Sequence, residues 1–247
     1  MADPIGVAVC NQSTTILDSE IAPIVAALQE DISQNGSLWA LPPVTLRQIT
    51  RGAAAPAGWW QLVFLDDSDQ ADALGYHELT IEGLPIGYVF VRTTTGYGSS
   101  VSRVASHELW EMLVDPYLNR YTAPCADGKE YCVEVGDLLS LDSQGRQGLG
   151  GVMLSGVALP ATYFAGQGTR YDIGGLLTAP LPNVQPPDGA YLMWRGGSSW
   201  ASGAAHFIHA PVLDAAAFMA MQPQRMSRRH RRILGAANWR MSTIGVQ

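Results

Sequence analysis

Residues 101–116 read VSRVASHELWEMLVDP, a segment that combines a helical pattern with metal-binding side chains. The pattern predicts a helix over 101–113, because its apolar residues recur at helical spacing. Ser99 and Ser100 are residue types that cap the first turn of a helix. Asp115 ends the segment, since the residue before a proline disfavours the α conformation.

The predicted helix has one polar arc and one apolar face. When His107 is set at zero on a wheel of about 100° per residue, the acidic residues fall within one arc beside it. These acidic residues are Glu111, Asp115 and Glu108. The opposite face consists of core-type side chains, namely Ala105, Leu109, Met112 and Leu113.

The polar arc has the composition of a metal site. His107 and Glu111 are one turn apart, so an imidazole nitrogen and a carboxylate oxygen can converge on one ion. Glu108 points beside that ion, where it can take a proton from the attacking water and return it to a leaving amine. This is the logic of the H-E-x-x-H motif, with glutamate in place of the second histidine.

A third protein ligand must come from another segment. Glu134 and Asp137 are the best candidates, because they lie on or just after a predicted strand that can return to the helix. Asp115 is a further candidate ligand or supporting residue, and its position before a proline fits a helix-end turn equally well.

A solvent-exposed helix face is the alternative interpretation of the same arc. Against it, Glu108, Glu111 and Asp115 would repel one another without a cation, and the arc itself contains no basic residue. Arg103 lies just outside the arc, where it can relieve part of the repulsion. His77 could line the cleft, but it is interpreted as a surface or hydrogen-bonded loop histidine. His206 and His209 are assigned no site.

The remaining pattern predicts an α+β protein. Strands are expected at 6–10, 44–49, 59–65, 88–91, 131–135 and 152–157, and further helices at 18–34 and 214–221. A threonine and glycine loop is expected at 93–100. The glycines between 145 and 151 lack the strand–helix context of a phosphate loop, so nucleotide binding is rejected.

The charge is distributed unevenly along the 247 residues. The net charge is −7, yet residues 225–247 contain six arginines and no acidic residue. An Arg-rich segment at 225–232 suggests docking to something acidic, with nucleic acid, another protein subunit and the body of the same molecule as candidates. A solvated or disordered end is the alternative.

Hydropathy and cysteine content indicate the cellular setting. No apolar run approaches the roughly 18 residues that a membrane span needs, and the N-terminal residues lack the pattern of a signal peptide. The cytoplasm of the producing cell is therefore expected. Cys125 and Cys132 flank a predicted hairpin turn, where a disulfide, two metal thiolates or two free thiols are open, and free thiols are favoured in a reducing compartment.

Several short motifs together resemble a group of zincin-like proteins encoded by tailed phages and some bacteria, and more distantly the plant exordium (phosphate-induced) family. The likeness covers roughly residues 5–200. It is carried by 11–14, 26–29, 73–77 (ALGYH), 83–85 (GLP), 89–91 (VFV), 105–116, 134–137 (EVGD) and 159–164 (LPATYF). This chain departs from the group at Leu139, where cysteine is common, and at Trp110, which is bulky for its place and is expected to pack.

The resemblance implies a zincin-type fold, in which a mixed sheet lies over an active-site helix at about 101–113. The prolines beyond residue 160 mark loops, so the C-terminal half is expected to be rich in loops and to contain strands. The resemblance also implies a domain over 1–200, followed by a C-terminal extension over 201–247. Two functions are expected from it. The first is a zinc-dependent peptidase or other hydrolase, with His107, Glu111 and Glu134 on the metal and Asp137 or Asp115 in support.

The second expected function is a virion or assembly protein that keeps the zincin fold as a scaffold. In that case the metal is structural or vestigial, and the carboxylate-rich ligand set also suits calcium or another divalent cation. The Arg-rich tail would then contact other virion proteins or, more weakly, nucleic acid. The protein would reside in the host cytoplasm and in the virion, without a membrane partner.

Overall fold

A five-stranded mixed sheet organises the computed structural model, which describes residues 3–70, 73–184, 190–196 and 199–204. Its strands are β1 (Ile5–Asn11), β2 (Val44–Ile49), β3 (Trp60–Leu65), β4 (Gly75–Leu79) and β5 (Pro85–Phe90). The order is β2-β1-β3-β5-β4, in which β4 alone runs antiparallel to its neighbour. Strand β1, which lies between β2 and β3, contains the continuous apolar run VAVC, as expected for a strand buried on both faces.

Four α-helices lie within the described residues. They are α1 (Asp18–Asn35), α2 (Val91–Gly96), α3 (Val101–Val114) and α4 (Pro160–Tyr163). Short 3-10 turns occur at Gly36–Trp39, Asp137–Leu139, Asp142–Gln144 and Leu149–Gly151. The described part of the chain contains no helix that is both long and apolar enough to cross a membrane.

Helices α1 and α3 cover the same face of the sheet. The apolar side chains of α3, including Leu109 and Met112, pack with Val7, Val9 and Val89 of the sheet in one large core. On the opposite face a smaller cluster centred on Ala8, Cys10 and Val63 is covered by Trp59 and neighbouring side chains. The large core thus lies between sheet and helices, and α3 is held against β5 and β4.

A buried polar contact joins the two helices to the C-terminal half. The Trp110 indole of α3 donates to Asp31 of α1 at 2.7 Å. Arg146 donates two hydrogen bonds to the same carboxylate, at 2.7 and 2.8 Å. Trp110 is fully buried, so its expected packing role is confirmed, and its N–H also has a partner.

The C-terminal half consists of short strands and irregular segments. Strands β7 (Arg146–Gln147) and β8 (Met153–Leu154) form a hairpin, and β6 (Glu130–Tyr131), β9 (Tyr191–Gly196) and β10 (Ser199–Ala204) form a three-stranded sheet. The predicted boundary at residue 200 falls within β10. The half is attached to the first by Trp39, which donates to the Ala158 carbonyl at 3.0 Å.

The predicted helices at 18–34 and 101–113 and the strand at 44–49 are confirmed. Ser100 is the N-cap of α3, and its hydroxyl accepts from the Arg103 amide at 3.3 Å. The expected loop at 93–100 is wrong in its first half, because Val91–Gly96 forms α2, in which Val91 and Thr94 are buried.

The strands expected at 131–135 and 152–157 are mostly irregular: within them, strands form only at 131 and at 153–154, and Cys132 makes an isolated bridge with Tyr121. Residues 132–135 instead hydrogen-bond to several separate segments, as shown by the amides of Cys132 and Val133, which donate to Met193 and Arg120. The predicted helix at 214–221, His206, His209 and the Arg-rich segment 225–232 lie outside the described residues.

Candidate metal centre

Helix α3 brings three chemically active side chains into the interior. His107, Glu108 and Glu111 are all buried, so the solvent-exposed interpretation of this face is wrong. The close approach of α3 to the sheet depends on small residues. A Cβ on Gly75 would lie 2.8 Å from the Glu108 side chain, and one on Gly87 would touch the same side chain at 3.6 Å.

The edge strand β4 adds a second histidine. His77 is completely buried, pairs with Gly87 across the ladder, and faces α3. Its Nδ1 lies 3.5 Å from Glu111 Oε2 and 3.8 Å from Glu108 Oε2. The interpretation of His77 as a surface or loop histidine is therefore wrong, because the short strand containing it was not predicted.

The irregular segment after β6 supplies two more carboxylates, those of Glu134 and Asp137, both buried. The segment is held in place by backbone contacts, since Ala158 N donates to Val135 O at 2.7 Å and the Tyr163 hydroxyl donates to Glu134 O at 2.6 Å. Gly136 N also donates to Glu111 Oε1 at 3.3 Å. Glu134 and Asp137 thus return to the helix, as the sequence predicts.

The donors form two groups that share Glu111. His107, Glu111 and Asp137 make one group, and His77, Glu111 and Glu134 make the other, with ligand atoms within 4.8 Å of one another in each. In the first group, His107 Nε2 is 3.3 Å from both Glu111 Oε1 and Asp137 Oδ1. Two donors on a tetrahedral zinc ion are themselves about 3.4 Å apart, so this spacing suits such an ion.

The electrostatics also favour a cation. Four carboxylates surround two imidazoles in a buried volume, so the formal charge is negative even when both imidazoles are protonated. Burial by itself lowers the pKa of His107, but the carboxylates of Glu111 and Asp137 outweigh it and raise that pKa well above its ordinary value. Arg103 does not relieve the charge, because its guanidinium pairs with Asp142.

Among the buried polar atoms of the centre, His107 Nδ1 and Glu108 Oε2 have no hydrogen-bond partner within the described residues. Buried polar atoms normally have a partner, so each such exception needs an explanation. Together with the donor distances and the mixed nitrogen and oxygen ligand set, they show that these residues fit a divalent cation.

Asp115 is not part of either donor group. Its carboxylate accepts hydrogen bonds from the backbone amides of Asn119, at 2.9 Å, and Arg120, at 3.1 Å. It therefore stabilises the turn that follows α3. Of the two interpretations that the sequence left open for Asp115, the structure places it in the helix-end turn.

Tyr163 lies close to the carboxylates, and no pattern in the sequence singles it out. Burial, reinforced by Asp137 and Glu111, raises the pKa of Tyr163 well above its ordinary value. Its neutral hydroxyl donates a hydrogen bond to the Glu134 carbonyl. Tyr163 therefore positions the segment that contains the candidate metal ligands Glu134 and Asp137. Cys125 and Cys132 are not joined by a disulfide in the structure.

Comparison of the chain with models of protein families, with curated proteins and with solved structures found no significant match. The chain is a mixed α/β protein with a mixed parallel and antiparallel sheet. Its function is therefore inferred from the geometry and chemistry of the centre formed by α3, β4 and the segment 134–137.

Proposed function

We propose that this chain is a zincin-like metal-binding protein that acts as a zinc-dependent hydrolase, with a peptide bond as the simplest substrate. The observation that carries the proposal is the buried convergence of His107, Glu111 and Asp137 beside Glu108. Such a set holds a divalent ion through one imidazole and two carboxylates, which leaves a coordination position for a substrate or water.

The side chains divide the chemistry between them. Bound zinc supplies Lewis acidity and lowers the pKa of a water molecule. Glu108 belongs to neither donor triad, and its Oε2 faces the centre, so it is the group that accepts the proton of the attacking water and returns it to the leaving amine. The amide of Gly136 orients Glu111.

Metal analysis tests the site. The protein is purified without chelators and its zinc, manganese and calcium contents are measured for wild type, Glu111→Gln and Glu82→Gln. Glu82 is exposed in the turn between β4 and β5, which makes it the matched control. We expect metal in wild type and control and a strong loss in Glu111→Gln. Equal metal content in all three proteins, or none in any, contradicts the site.

Hydrolysis is tested separately with Glu108→Gln. We expect this variant to retain its metal and to lose cleavage of a general fluorogenic protein substrate by at least about 100-fold, in line with the usual effect of a general base. Retained cleavage in Glu108→Gln would remove Glu108 from the reaction.

A structural metal in a virion or assembly protein is the second candidate. It is favoured by burial, because the most exposed of the six residues, His107, is only 7% exposed. In this case wild type and Glu108→Gln are both inactive, and the metal supports folding alone. Mass spectrometry of purified particles of the producing phage tests the assembly role. If the chain is absent from those particles, the assembly role is contradicted.

A further inference from the structure

The carboxylate of Glu111 faces a different histidine with each of its oxygens. Its Oε1 lies 3.3 Å from His107 Nε2, and its Oε2 lies 3.5 Å from His77 Nδ1. Each histidine has a further carboxylate in its own group, Asp137 on one side and Glu134 on the other. Glu111 is thus the common member of two similar groups of three donors.

Each group is sufficient for an ion of its own. Three protein ligands are the usual number in a catalytic zinc site, and all five donors are buried. A carboxylate that offers one oxygen to each of two ions is a common bridge in two-metal sites, where the ions are about 3.5–4 Å apart.

The charge of the centre favours two bound ions over one. The carboxylates of Glu108, Glu111, Glu134 and Asp137 have a formal charge of −4, with neutral histidines as metal ligands. One divalent cation leaves two negative charges uncompensated in a buried volume, which is costly. Two divalent cations neutralise the four carboxylates.

A further observation points to the position beside His77. Glu108 Oε2 is buried, has no hydrogen-bond partner within the described part of the chain, and is directed toward His77 Nδ1 at 3.8 Å. A cation next to His77 and Glu111 gives this oxygen an electrostatic partner.

We propose that the centre is dinuclear, with one divalent cation held by His107, Glu111 and Asp137 and a second by His77, Glu111 and Glu134, and with Glu111 as the bridge. The proposal rests on the metal-binding function proposed above, and adds a second metal position and a role for His77. It implies hydrolysis in which two ions flank the reacting group, as in two-metal hydrolases.

Metal stoichiometry of the full chain tests the proposal. The protein is unfolded in chelator, refolded, titrated with Mn²⁺ and examined by electron paramagnetic resonance and elemental analysis. We expect two ions per chain and the broadened signal of an exchange-coupled pair. One ion with an isolated signal overturns the dinuclear centre and leaves the proposed function intact. No bound ion overturns both.

Variants assign the two positions. His77→Ala and, as a more conservative change, Glu134→Gln are expected to reduce the stoichiometry from two ions to one and to replace the coupled signal with that of an isolated Mn²⁺ ion. Glu82→Gln is the control and should keep two ions. If either His77→Ala or Glu134→Gln, folded by circular dichroism, still binds two coupled ions, the assignment of the second position is wrong.

Discussion

Gly136 contacts His107 more closely than any larger residue would permit. A Cβ at this position would lie 2.5 Å from His107 Nδ1. The backbone itself does not require glycine, because its φ of −92° and ψ of −27° are open to any residue. Glycine is required here because it has no side chain, which allows the segment with Asp137 to lie directly on the His107 imidazole.

Gly136→Ala should weaken metal binding without unfolding the protein. The added methyl group must displace His107 or the segment 136–137, and displacement of a ligand or its support costs roughly 10- to 100-fold in metal affinity. The measurement is a competition titration with a chromogenic zinc chelator. Gly96→Ala is the control, since a Cβ there meets nothing within 4 Å. Equal affinities for both variants would show that the contact is unimportant.

Asp66 fixes the loop that follows β1. Its carboxylate accepts hydrogen bonds from the Thr14 amide at 2.8 Å and from the Thr15 amide at 3.0 Å, as well as from the Ser13 hydroxyl. The hydrogen bonds from Ser13 and Thr14 hold the pKa of Asp66 well below its usual range. The ionised carboxylate is therefore the form that stabilises the fold.

Asp66→Asn should destabilise the protein in a pH-dependent way. Because the folded-state pKa is lowered, the stabilisation is fully present above the unfolded-state pKa of about 3.9 and is lost as the pH falls toward the folded-state value. Urea midpoints of wild type and variant should therefore differ at pH 7 and pH 5 and converge below about pH 4.

Asp67→Asn is the matched control. The Asp67 side chain is 60% exposed, whereas that of Asp66 is 20% exposed, so the same substitution at Asp67 should affect stability less. A difference between wild type and Asp66→Asn that does not change with pH would contradict the role of the charge.

At the scale of single residues, the sequence predicts part of the centre. Glu108, Glu111 and His107 share one helical arc, which the helical period alone reveals. Glu134 and Asp137 were proposed as partners and lie in the two donor groups. The sequence leaves His77 as a possible cleft residue only, because the five-residue strand β4 has no clear alternation of apolar and polar residues. Its pairing with Gly87 is set by the tertiary fold.

At the scale of the elements, one buried carboxylate joins α1, α3 and β7. Asp31 accepts a hydrogen bond from the Trp110 indole and a bidentate pair of hydrogen bonds from Arg146. Both Asp31 and Trp110 are buried. Loss of one partner from such a pair leaves a charge without compensation in the interior. Asp31 is therefore a buried polar link between the two helices and the C-terminal half.

Asp31→Ala should lower the free energy of unfolding by about 3–5 kcal/mol, the cost of leaving a buried partner unpaired. Chemical denaturation at pH 7 measures it. Glu30→Ala is the control. Within the described part of the chain, the Glu30 carboxylate accepts a side-chain hydrogen bond from Gln34 of the same helix only, so we expect a change within about 0.5 kcal/mol. A loss below about 1 kcal/mol for Asp31→Ala would show that the contact is peripheral.

The long helices were predictable because their apolar period extends over several turns. α2 was not, since its three threonines have low helix propensity. The buried side chains of Val91 and Thr94, and the bond from the Ser68 amide to the Thr93 hydroxyl at 3.0 Å, hold it in place. Such short elements are determined by tertiary contacts rather than by local sequence.

At the scale of the whole molecule, the centre connects parts that are distant in sequence. His77 lies in the main sheet, Glu111 in α3, and Glu134 in the irregular segment of the C-terminal half. An ion bound among them links all three parts, and it can do so only when the chain is folded. Binding energy at this centre is therefore also folding energy.

Metal should raise the thermal stability of the protein. One ion at a free concentration of 100 times its Kd adds about 2.7 kcal/mol, which corresponds to roughly 5–11 °C in Tm for a chain of this size. Calorimetry on protein refolded with and without zinc measures the shift. Glu111→Gln should show little or none. An equal shift in this variant would place the stabilising ion elsewhere.

The mixed sheet was predictable only in outline. The strands at 44–49 and 59–65 follow from their composition, but the antiparallel edge strand and the order β2-β1-β3-β5-β4 depend on contacts between residues far apart in the chain. The irregular path of 132–135 was not predictable either, since its hydrogen-bond partners belong to several different segments.

Burial of the centre has a kinetic consequence. With every donor at most 7% exposed, an ion exchanges with solvent only when the segment over His107 opens. Loss of metal to a chelator should therefore proceed at a rate independent of chelator concentration. The metal that is abundant while the chain folds therefore occupies the centre first, and a more tightly binding competitor that arrives later replaces it only at the rate of opening.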